Sequence, residues 1–108
     1  MDSRRIDFSF NWNNKLDCVY FTTLRLHNPS KYAPNNVHSV YLKDEFLFDA
    51  TIQSVKSIYG KDLNPFICGL DTGYSVSVAK GILANMYKKT VLEIEQEQFS
   101  FVLYKRLV

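Results

Sequence analysis

The residues of this chain best suited to chemistry fall in two short segments. One is Thr22-Thr23-Leu24-Arg25, which places two hydroxyls beside a guanidinium. The other is Asp71-Thr72-Gly73-Tyr74, which combines a carboxylate, a hydroxyl, a glycine suited to a turn and an aromatic ring. A threonine hydroxyl can attack an amide when a base within hydrogen-bond reach removes its proton. Thr23 and Asp71 are therefore the candidate catalytic residues.

Arg25 is the candidate for ligand binding at the first segment. A guanidinium at a strand end can bind a phosphate through two hydrogen bonds or stack on a base. Tyr74 offers a ring on which a base can stack, and backbone N–H groups around Thr72 could hold an anion at a helix start. Thr22 and Tyr20 lie on the same strand as Arg25 and complete the candidate binding set.

Each of these residues also has a purely structural interpretation. Arg25 can be a solvated side chain or can form an ion pair with Asp71. Thr22 and Thr23 can be ordinary strand residues, because threonine fits a pleated, half-buried surface. Thr72 can serve in helix capping. The residue types alone leave both interpretations open.

The first segment is predicted to lie on a strand, because Val19 to Leu26 is rich in β-branched and aromatic residues. Residues 27–36 are rich in asparagine and proline and predict a loop. Alternation of apolar and polar residues predicts further strands. They cover residues 6–10, 37–43, 46–52, 91–94 and 98–106. In the strand 46–52, Phe46, Phe48, Ala50 and Ile52 are predicted to lie on one face. Glu93, Glu95 and Glu97 alternate and are assigned to the solvent face of a strand.

The second segment is predicted to lead into a helix that begins after Ser75, which can act as its N-cap. Apolar residues recur there at helical spacing and form one stripe: Ala79, Ile82, Leu83, Met86 and Tyr87. Lys80 and Ala84 are predicted to face outward, and a helical turn is predicted around residues 63–69. Strands, a helix and strands again, without βαβ alternation, predict an α+β fold. Its sheet should be mixed or largely antiparallel and curled, with one or two flanking helices.

Composition narrows the class of protein. The 108 residues fit a single domain, and 46% apolar against 22% charged residues is the balance of an ordinary folded protein. A net charge of +2 neither requires nor excludes a nucleic-acid partner. Cys18, Cys68, His27 and His38 lack metal-ligand spacing, so neither a metal nor a cofactor is expected. No apolar run approaches the roughly 20 residues of a membrane span, and a cytoplasmic location is expected. Oligomeric state stays open.

Thr23-Leu24-Arg25 resembles a short element of ASCH domains, a branch of the PUA-like superfamily. These domains carry a Thr-x-Arg element at a strand end, followed by a loop, a strand hairpin, helices and a last strand. The predicted order of elements here is similar over roughly residues 8 to 106. The resemblance implies one PUA-like domain built on a curled β-barrel. It also implies that the partner is RNA or a modified nucleoside or nucleotide.

Small bacterial ASCH enzymes that hydrolyse the amide of acetylcytidine are the nearest catalytic relatives by this resemblance. They use a lysine before the Thr-x-Arg element, the threonine itself and a carboxylate ahead of the main helix. Thr23 and Asp71 match the last two, whereas Tyr20 occupies the position of the lysine. Lys15 or Lys43 could supply an amine from another element. The departure at Tyr20 favours ligand binding without catalysis, with amide hydrolysis of an acylated nucleoside as the alternative. A small protein–protein interaction module, of phage or mobile-element origin, is the third hypothesis.

Overall fold

The computed structural model describes residues 4–107. In chain order the strands and α-helices are β1 (Arg5–Phe8), β2 (Tyr20–Leu26), β3 (Val37–Leu42), β4 (Glu45–Tyr59), α1 (Pro65–Thr72), α2 (Val76–Tyr87), α3 (Val91–Gln96) and β5 (Gln98–Arg106). A 3-10 helix, Trp12–Asp17, joins β1 to β2, and a second, Gly60–Asp62, follows β4.

The strands form one curled, half-barrel sheet in the order β1-β3-β4-β5-β2. β1 pairs with β3 in parallel, and the other three pairings are antiparallel, so the sheet is mixed. β1 and β2 are therefore its two edges. The α+β class and the curled mixed sheet are confirmed, with three α-helices among the described residues rather than one or two.

β4 is much longer than the predicted strand, because it continues to Tyr59 rather than ending at Ile52. Its first part pairs with β3 and its second part with β5, and the register shifts between Ile52 and Ser54. Such a bulge bends a strand and increases its twist, which lets β4 serve both halves of the sheet. A second shift, at Val40/Tyr41, lies opposite the start of β4. Phe46 at that end is 54% exposed, so its predicted place beside buried Phe48 was wrong.

The sheet has a separate apolar core on each face. On one face, strand residues such as Phe21, Val40 and Tyr104 pack together without an α-helix. On the other face, Leu24 and Phe99 pack against the helices. Phe21 and Leu24 lie three residues apart on β2, so strand alternation points them to opposite faces. β2 therefore joins both cores, and the residues between these two lie at their border.

Two predictions on the helical side were wrong. Residues 91–94 belong to α3, not to a strand, because Thr90 and Glu93 form a reciprocal capping box that starts a helix there. The carboxylates therefore do not line a strand: Glu95 pairs with Lys80 at 2.8 Å, and Glu97 pairs with Lys89 at 3.1 Å. On α2 the Ser75 cap is confirmed, since its hydroxyl accepts from Val78 N.

Ala84 was also predicted to face outward, but it is buried in the helix-side core. The apolar face of α2 is wider than the predicted stripe because α3 packs against α2 from the side.

Candidate functional site

A narrow cleft lies between the two sheet edges and the first two helices. β1 contributes Phe8 to its lining, the 3-10 helix contributes Trp12, and α2 contributes an apolar wall that includes Leu83. The polar residues that line it are Ser9, Lys15, Thr23, Arg25, Asp71 and Thr72. We call this the β1–β2 cleft. Its volume is about 30 Å³. One ordered water needs about 10–15 Å³, so only a small group of a ligand can enter the cleft as it stands.

A buried ion pair forms the floor of the polar side. Lys15 Nζ lies 3.0 Å from Asp71 Oδ1, and both side chains are only 7% exposed. The Thr22 hydroxyl donates to the same carboxylate oxygen at 3.0 Å. Burial lowers the pKa of Lys15, while the Asp71 charge and hydrogen bond oppose that shift and the Arg25 charge adds to it. The arrangement brings an amine, a carboxylate and a hydroxyl into one hydrogen-bonded chain.

The backbone of the 3-10 helix explains how Lys15 reaches this position. Asn13 and Asn14 have φ values of 57° and 52°, a left-handed conformation that asparagine tolerates better than most residues. The side chain of Asn11 accepts from Leu16 N at 2.9 Å, and Asn13 Nδ2 donates to the Gly69 carbonyl of α1 at 3.4 Å. These contacts attach the segment to α1 and direct Lys15 inward.

Asp71 is positioned by the way in which α1 begins and ends. The side chain of Asn64 caps its N-terminus, with Pro65 in the first turn. Gly73 ends the helix with a left-handed φ of 78°, and its N–H donates to the carbonyls of Cys68 and Gly69. Because α1 ends at Gly73, Asp71 lies in the last turn of the helix and faces β2.

Arg25 reaches across the cleft from one sheet edge to the other. Its Nε donates to Thr23 Oγ1 at 3.0 Å, and its Nη2 donates to the Asp7 carbonyl of β1 at 2.7 Å. The guanidinium lies over the Phe8 ring, 4.7 Å from the centroid. The ion pair with Asp71 that the sequence left open does not form, because Lys15 occupies that carboxylate.

Aromatic rings cluster at Trp12, which lines the cleft. Its ring centroid lies 4.7 Å from that of Phe10 and 6.1 Å from that of Tyr74. Phe10 is 50% exposed and Tyr74 is 49% exposed. Trp12, Phe10 and Tyr74 are called the aromatic rim below. The rim gives a ligand an exposed surface on which to stack.

The structure thus brings most of the candidate residues together. Thr23, Arg25, Asp71 and Thr72 line the cleft. Thr22 bonds to Asp71, and Tyr74 contacts Trp12, as described above. The exception is Tyr20, which starts β2, is 52% exposed and has Lys105 over its ring at 5.9 Å. Tyr20 is not among the residues that line the cleft.

Two backbone N–H groups of the expected anion site at the helix start, those of Gly73 and Tyr74, make local hydrogen bonds. Tyr74 N–H donates to the Thr72 hydroxyl at 3.2 Å, and that hydroxyl donates to the Cys68 carbonyl at 2.9 Å. Gly73 N–H closes α1, as described above. These groups are already committed to local bonds, so Thr72 acts as a structural residue of the turn.

Lys15 is the cleft residue whose position the sequence did not predict. The sequence placed an amine from another element among the alternatives, yet nothing in the residue pattern gave it priority over Lys43. One signal was present: Lys15 is followed by the apolar Leu16 in an asparagine-rich turn, so a short helix could bury both. In the structure Lys15 is 6% exposed and Leu16 is 2% exposed.

Two further structural findings concern the described residues 4–107. Within them, no group of three or more His, Cys, Asp or Glu side chains could hold a metal ion. Their helices also include none that is long and apolar enough to cross a membrane.

Comparison with known proteins gives no match to any family model, curated protein or solved structure.

Proposed function

We propose that this chain is a binding domain of PUA-like type whose β1–β2 cleft and aromatic rim hold an RNA base or a modified nucleoside or nucleotide in the cytoplasm. The observation that carries the proposal is the combination of an aromatic rim with a polar cleft at Trp12. Planar rings bind nucleobases by stacking, at about 1–3 kcal/mol per base. The polar cleft next to the ring supplies the hydrogen bonds that select one base-like ligand over another.

The size of the cleft defines how such a ligand would sit. A volume of about 30 Å³ excludes a whole nucleoside. The ring of the ligand therefore lies outside, against Trp12, and a substituent enters the cleft beside Thr23 and Arg25. Apolar residues such as Leu83 wall the entrance. Water is scarce in such a site, and each polar contact made there is worth more than in bulk water.

The PUA-like assignment rests on the order of elements and on the place of the Thr-x-Arg element. Thr23 and Arg25 stand on an edge strand, β2, beside the opening of a curled mixed sheet. The hairpin of β3 and β4, the helices and the closing strand β5 follow in the order that the resemblance implies. This order supports the proposal of a PUA-like domain.

Trp12 makes the binding proposal directly testable, because it is the single tryptophan of the chain. A ligand that stacks on it should change the intrinsic fluorescence of this tryptophan. We would titrate nucleosides, nucleotides and short single-stranded RNAs and follow the same ligands by thermal shift. A saturable change with one class, lost in Thr23→Val and retained in Tyr20→Phe, is the expected result. No change with any ligand would refute nucleotide binding and leave a protein partner as the best hypothesis.

Amide hydrolysis of an acylated nucleoside is the second candidate, favoured by the chain of Lys15, Asp71 and Thr22. The amine that Tyr20 cannot supply is present in the cleft as Lys15. Its lowered pKa increases the fraction of neutral amine, the form that can accept a proton. A hydroxyl that loses its proton to this chain could attack the acyl carbon, and the C–N bond would break as the nitrogen takes up that proton. Water would then release the acyl group from the hydroxyl oxygen as the free acid. Thr23 stays the alternative nucleophile, since it lines the cleft.

Turnover of acetylcytidine tests this second candidate. Product formation by the wild-type chain should fall by about 100-fold or more in Lys15→Met, since a positioned acid or base contributes at least that factor. Thr22→Val and Thr23→Val, assayed separately, identify the hydroxyl that reacts. Binding of the acetylated nucleoside without turnover would favour the first candidate.

A further inference from the structure

The cleft carries one positive charge that no side chain of the described residues neutralises. Lys15, Arg25 and Asp71 are the charged residues that line it. Asp71 pairs with Lys15. Arg25 is in no ion pair within residues 4–107, and its two hydrogen-bond acceptors are a hydroxyl and a carbonyl, both neutral. The polar side of the cleft therefore has a net charge of about +1.

Two cations face the same ring in this site. The Arg25 guanidinium lies 4.7 Å from the centroid of the Phe8 ring, and Lys15 Nζ lies 5.4 Å from the same centroid. Their repulsion is one cause of the lowered pKa of Lys15. Phe8 itself is buried. Lys15 is already paired with Asp71, so an added anion is attracted chiefly to Arg25.

We propose that the substituent of the ligand that enters the β1–β2 cleft is an oxyanion, a phosphate or a carboxylate, bound by Arg25. This inference rests on the proposed function and adds to it the charge class and the orientation of the ligand: anionic group inside, ring outside on Trp12. The guanidinium presents five N–H donors in a planar fork that matches an oxyanion. In this structure two of its nitrogens donate, to Thr23 and to the Asp7 carbonyl.

The bond from Arg25 to Asp7 indicates what the oxyanion displaces. That bond joins the two edges of the sheet, β2 and β1, across the mouth of the cleft. A guanidinium can bind an oxyanion through two parallel hydrogen bonds, whereas the Asp7 carbonyl accepts one from Arg25. An oxyanion therefore competes well with the Asp7 carbonyl, and its entry widens a cleft of about 30 Å³.

The test compares a nucleoside with its 5′-monophosphate, together with inorganic phosphate and acetate as isolated oxyanions. With the wild-type chain the monophosphate should bind about 10-fold or more tightly than the nucleoside, the factor expected for one hydrogen bond to a charged group. Arg25→Gln should abolish this preference for the monophosphate over the nucleoside. Arg106→Gln is the matched control, because Arg106 also lies over a phenylalanine ring, Phe48 at 4.4 Å, but does not line the cleft.

The remaining outcomes separate the two proposals. Equal affinity for nucleoside and monophosphate, or a preference that survives in Arg25→Gln, overturns the oxyanion inference while the binding function stands. Phosphate or acetate bound through Arg25 without any nucleoside or nucleotide supports the inference and overturns the nucleotide ligand. No binding of any probe overturns both. Arg25→Lys, which keeps the charge but loses the fork, replaces Arg25→Gln if circular dichroism shows that the glutamine variant is unfolded.

Discussion

Two buried polar pairs lie in different regions of this molecule and have different surroundings. In the cleft, Lys15 Nζ lies 3.0 Å from Asp71 Oδ1. In the core that contains Phe21 and Tyr104, called the aromatic core below, His38 Nδ1 lies 2.6 Å from the Tyr104 hydroxyl, and both residues are almost fully buried. The second pair joins β3 to β5 inside the aromatic core, where Tyr104 stacks on Phe21.

Access separates the two pairs more clearly than burial does. Neither His38 nor Tyr104 lines the β1–β2 cleft, whereas Lys15 and Asp71 both do. Burial raises the pKa of Tyr104 and lowers that of Lys15, so each is held toward its neutral form. A strongly perturbed titratable group is a site candidate only where a ligand can reach it. The aromatic core pair is therefore structural, and the cleft pair is the candidate for function.

The largest expected effect comes from breaking the cleft pair on one side. Lys15→Met leaves the Asp71 carboxylate buried without its cation, which should lower the free energy of unfolding by about 3–5 kcal/mol. The double variant Lys15→Met, Asp71→Leu should recover most of that loss, because an apolar pair of similar volume needs no charge compensation. Urea denaturation of the three proteins measures both effects. A single variant as stable as the wild type would show that the pair is not buried as described.

Removing the hydroxyl of the aromatic core pair should have a smaller effect. Tyr104→Phe keeps the ring that stacks on Phe21 and removes the bond to His38, which should cost about 1–2 kcal/mol of unfolding free energy. Ligand affinity of the cleft should not change, since Tyr104 does not line it. Urea denaturation and a binding titration on the same protein check the two statements. A loss of affinity in Tyr104→Phe would break the distinction between the pairs.

The two pairs should also give opposite slopes of stability against pH in the alkaline range. The pKa of Lys15 is lowered from 10.5, so between its folded pKa and 10.5 the unfolded chain binds more protons and stability rises with pH. The pKa of Tyr104 is raised from 10.0, so above pH 10 the unfolded tyrosine loses a proton that the folded one keeps, and stability falls. Each slope is at most about 1.4 kcal/mol per pH unit.

Variants separate these two contributions. Relative to the wild type, the Lys15→Met, Asp71→Leu protein should lack the rise and Tyr104→Phe should lose part of the fall. Tyr32 and Cys68 also have pKa values raised by burial, so some of the fall stays in Tyr104→Phe. Denaturation at a series of pH values from 8 to 11, roughly the range of these groups, gives the curves. Parallel curves for all three proteins would contradict the assigned burial.

The smallest effect on stability is expected for the ion pair of Lys80 with Glu95, which lies outside the cleft. Lys80 Nζ lies 2.8 Å from Glu95, but the side chains are 13% and 37% exposed. Water screens such a pair, and its loss in Lys80→Ala should change the unfolding free energy by no more than about 1 kcal/mol. Urea denaturation of Lys80→Ala beside Lys15→Met compares a partly exposed ion pair with a buried one. Similar losses for the two lysines would remove the special status of the cleft pair.

The sequence predicted the sheet and the main helix well, because their signals are local. The alternation in β1, β3 and β5, the β-branched and aromatic run of β2, and the apolar stripe after Ser75 each lie within one segment. The full length of β4 was not predicted, because Ser54 interrupts the apolar face where the register shifts. The helix α3 was missed because Glu93 and Glu95 alternate like strand residues. The capping box of Thr90 and Glu93, which starts the helix, can also be read from the sequence and outweighs this alternation.

For the candidate site, the sequence predicted the residue types but not their partners. Thr23, Arg25 and Asp71 do converge, since β2 and α1 meet at the border of the two cores. That Lys15, rather than Arg25, pairs with Asp71 depends on left-handed residues in the 3-10 helix and on its contact with Gly69. These are tertiary facts that no spacing within a single segment encodes. Tyr20 lies outside the cleft lining because it is at the far end of the same strand.

The central claim is that the β1–β2 cleft, and not the aromatic core, is the functional site. Its most direct test is a fluorescence titration of Trp12 with a nucleoside 5′-monophosphate, carried out on the wild type, Arg25→Gln and Tyr104→Phe. We predict saturable binding to the wild type and to Tyr104→Phe, and an affinity about 10-fold or more weaker in Arg25→Gln, as expected for one charged hydrogen bond. No binding to the wild type at all, or an affinity that falls in Tyr104→Phe and not in Arg25→Gln, would contradict the claim.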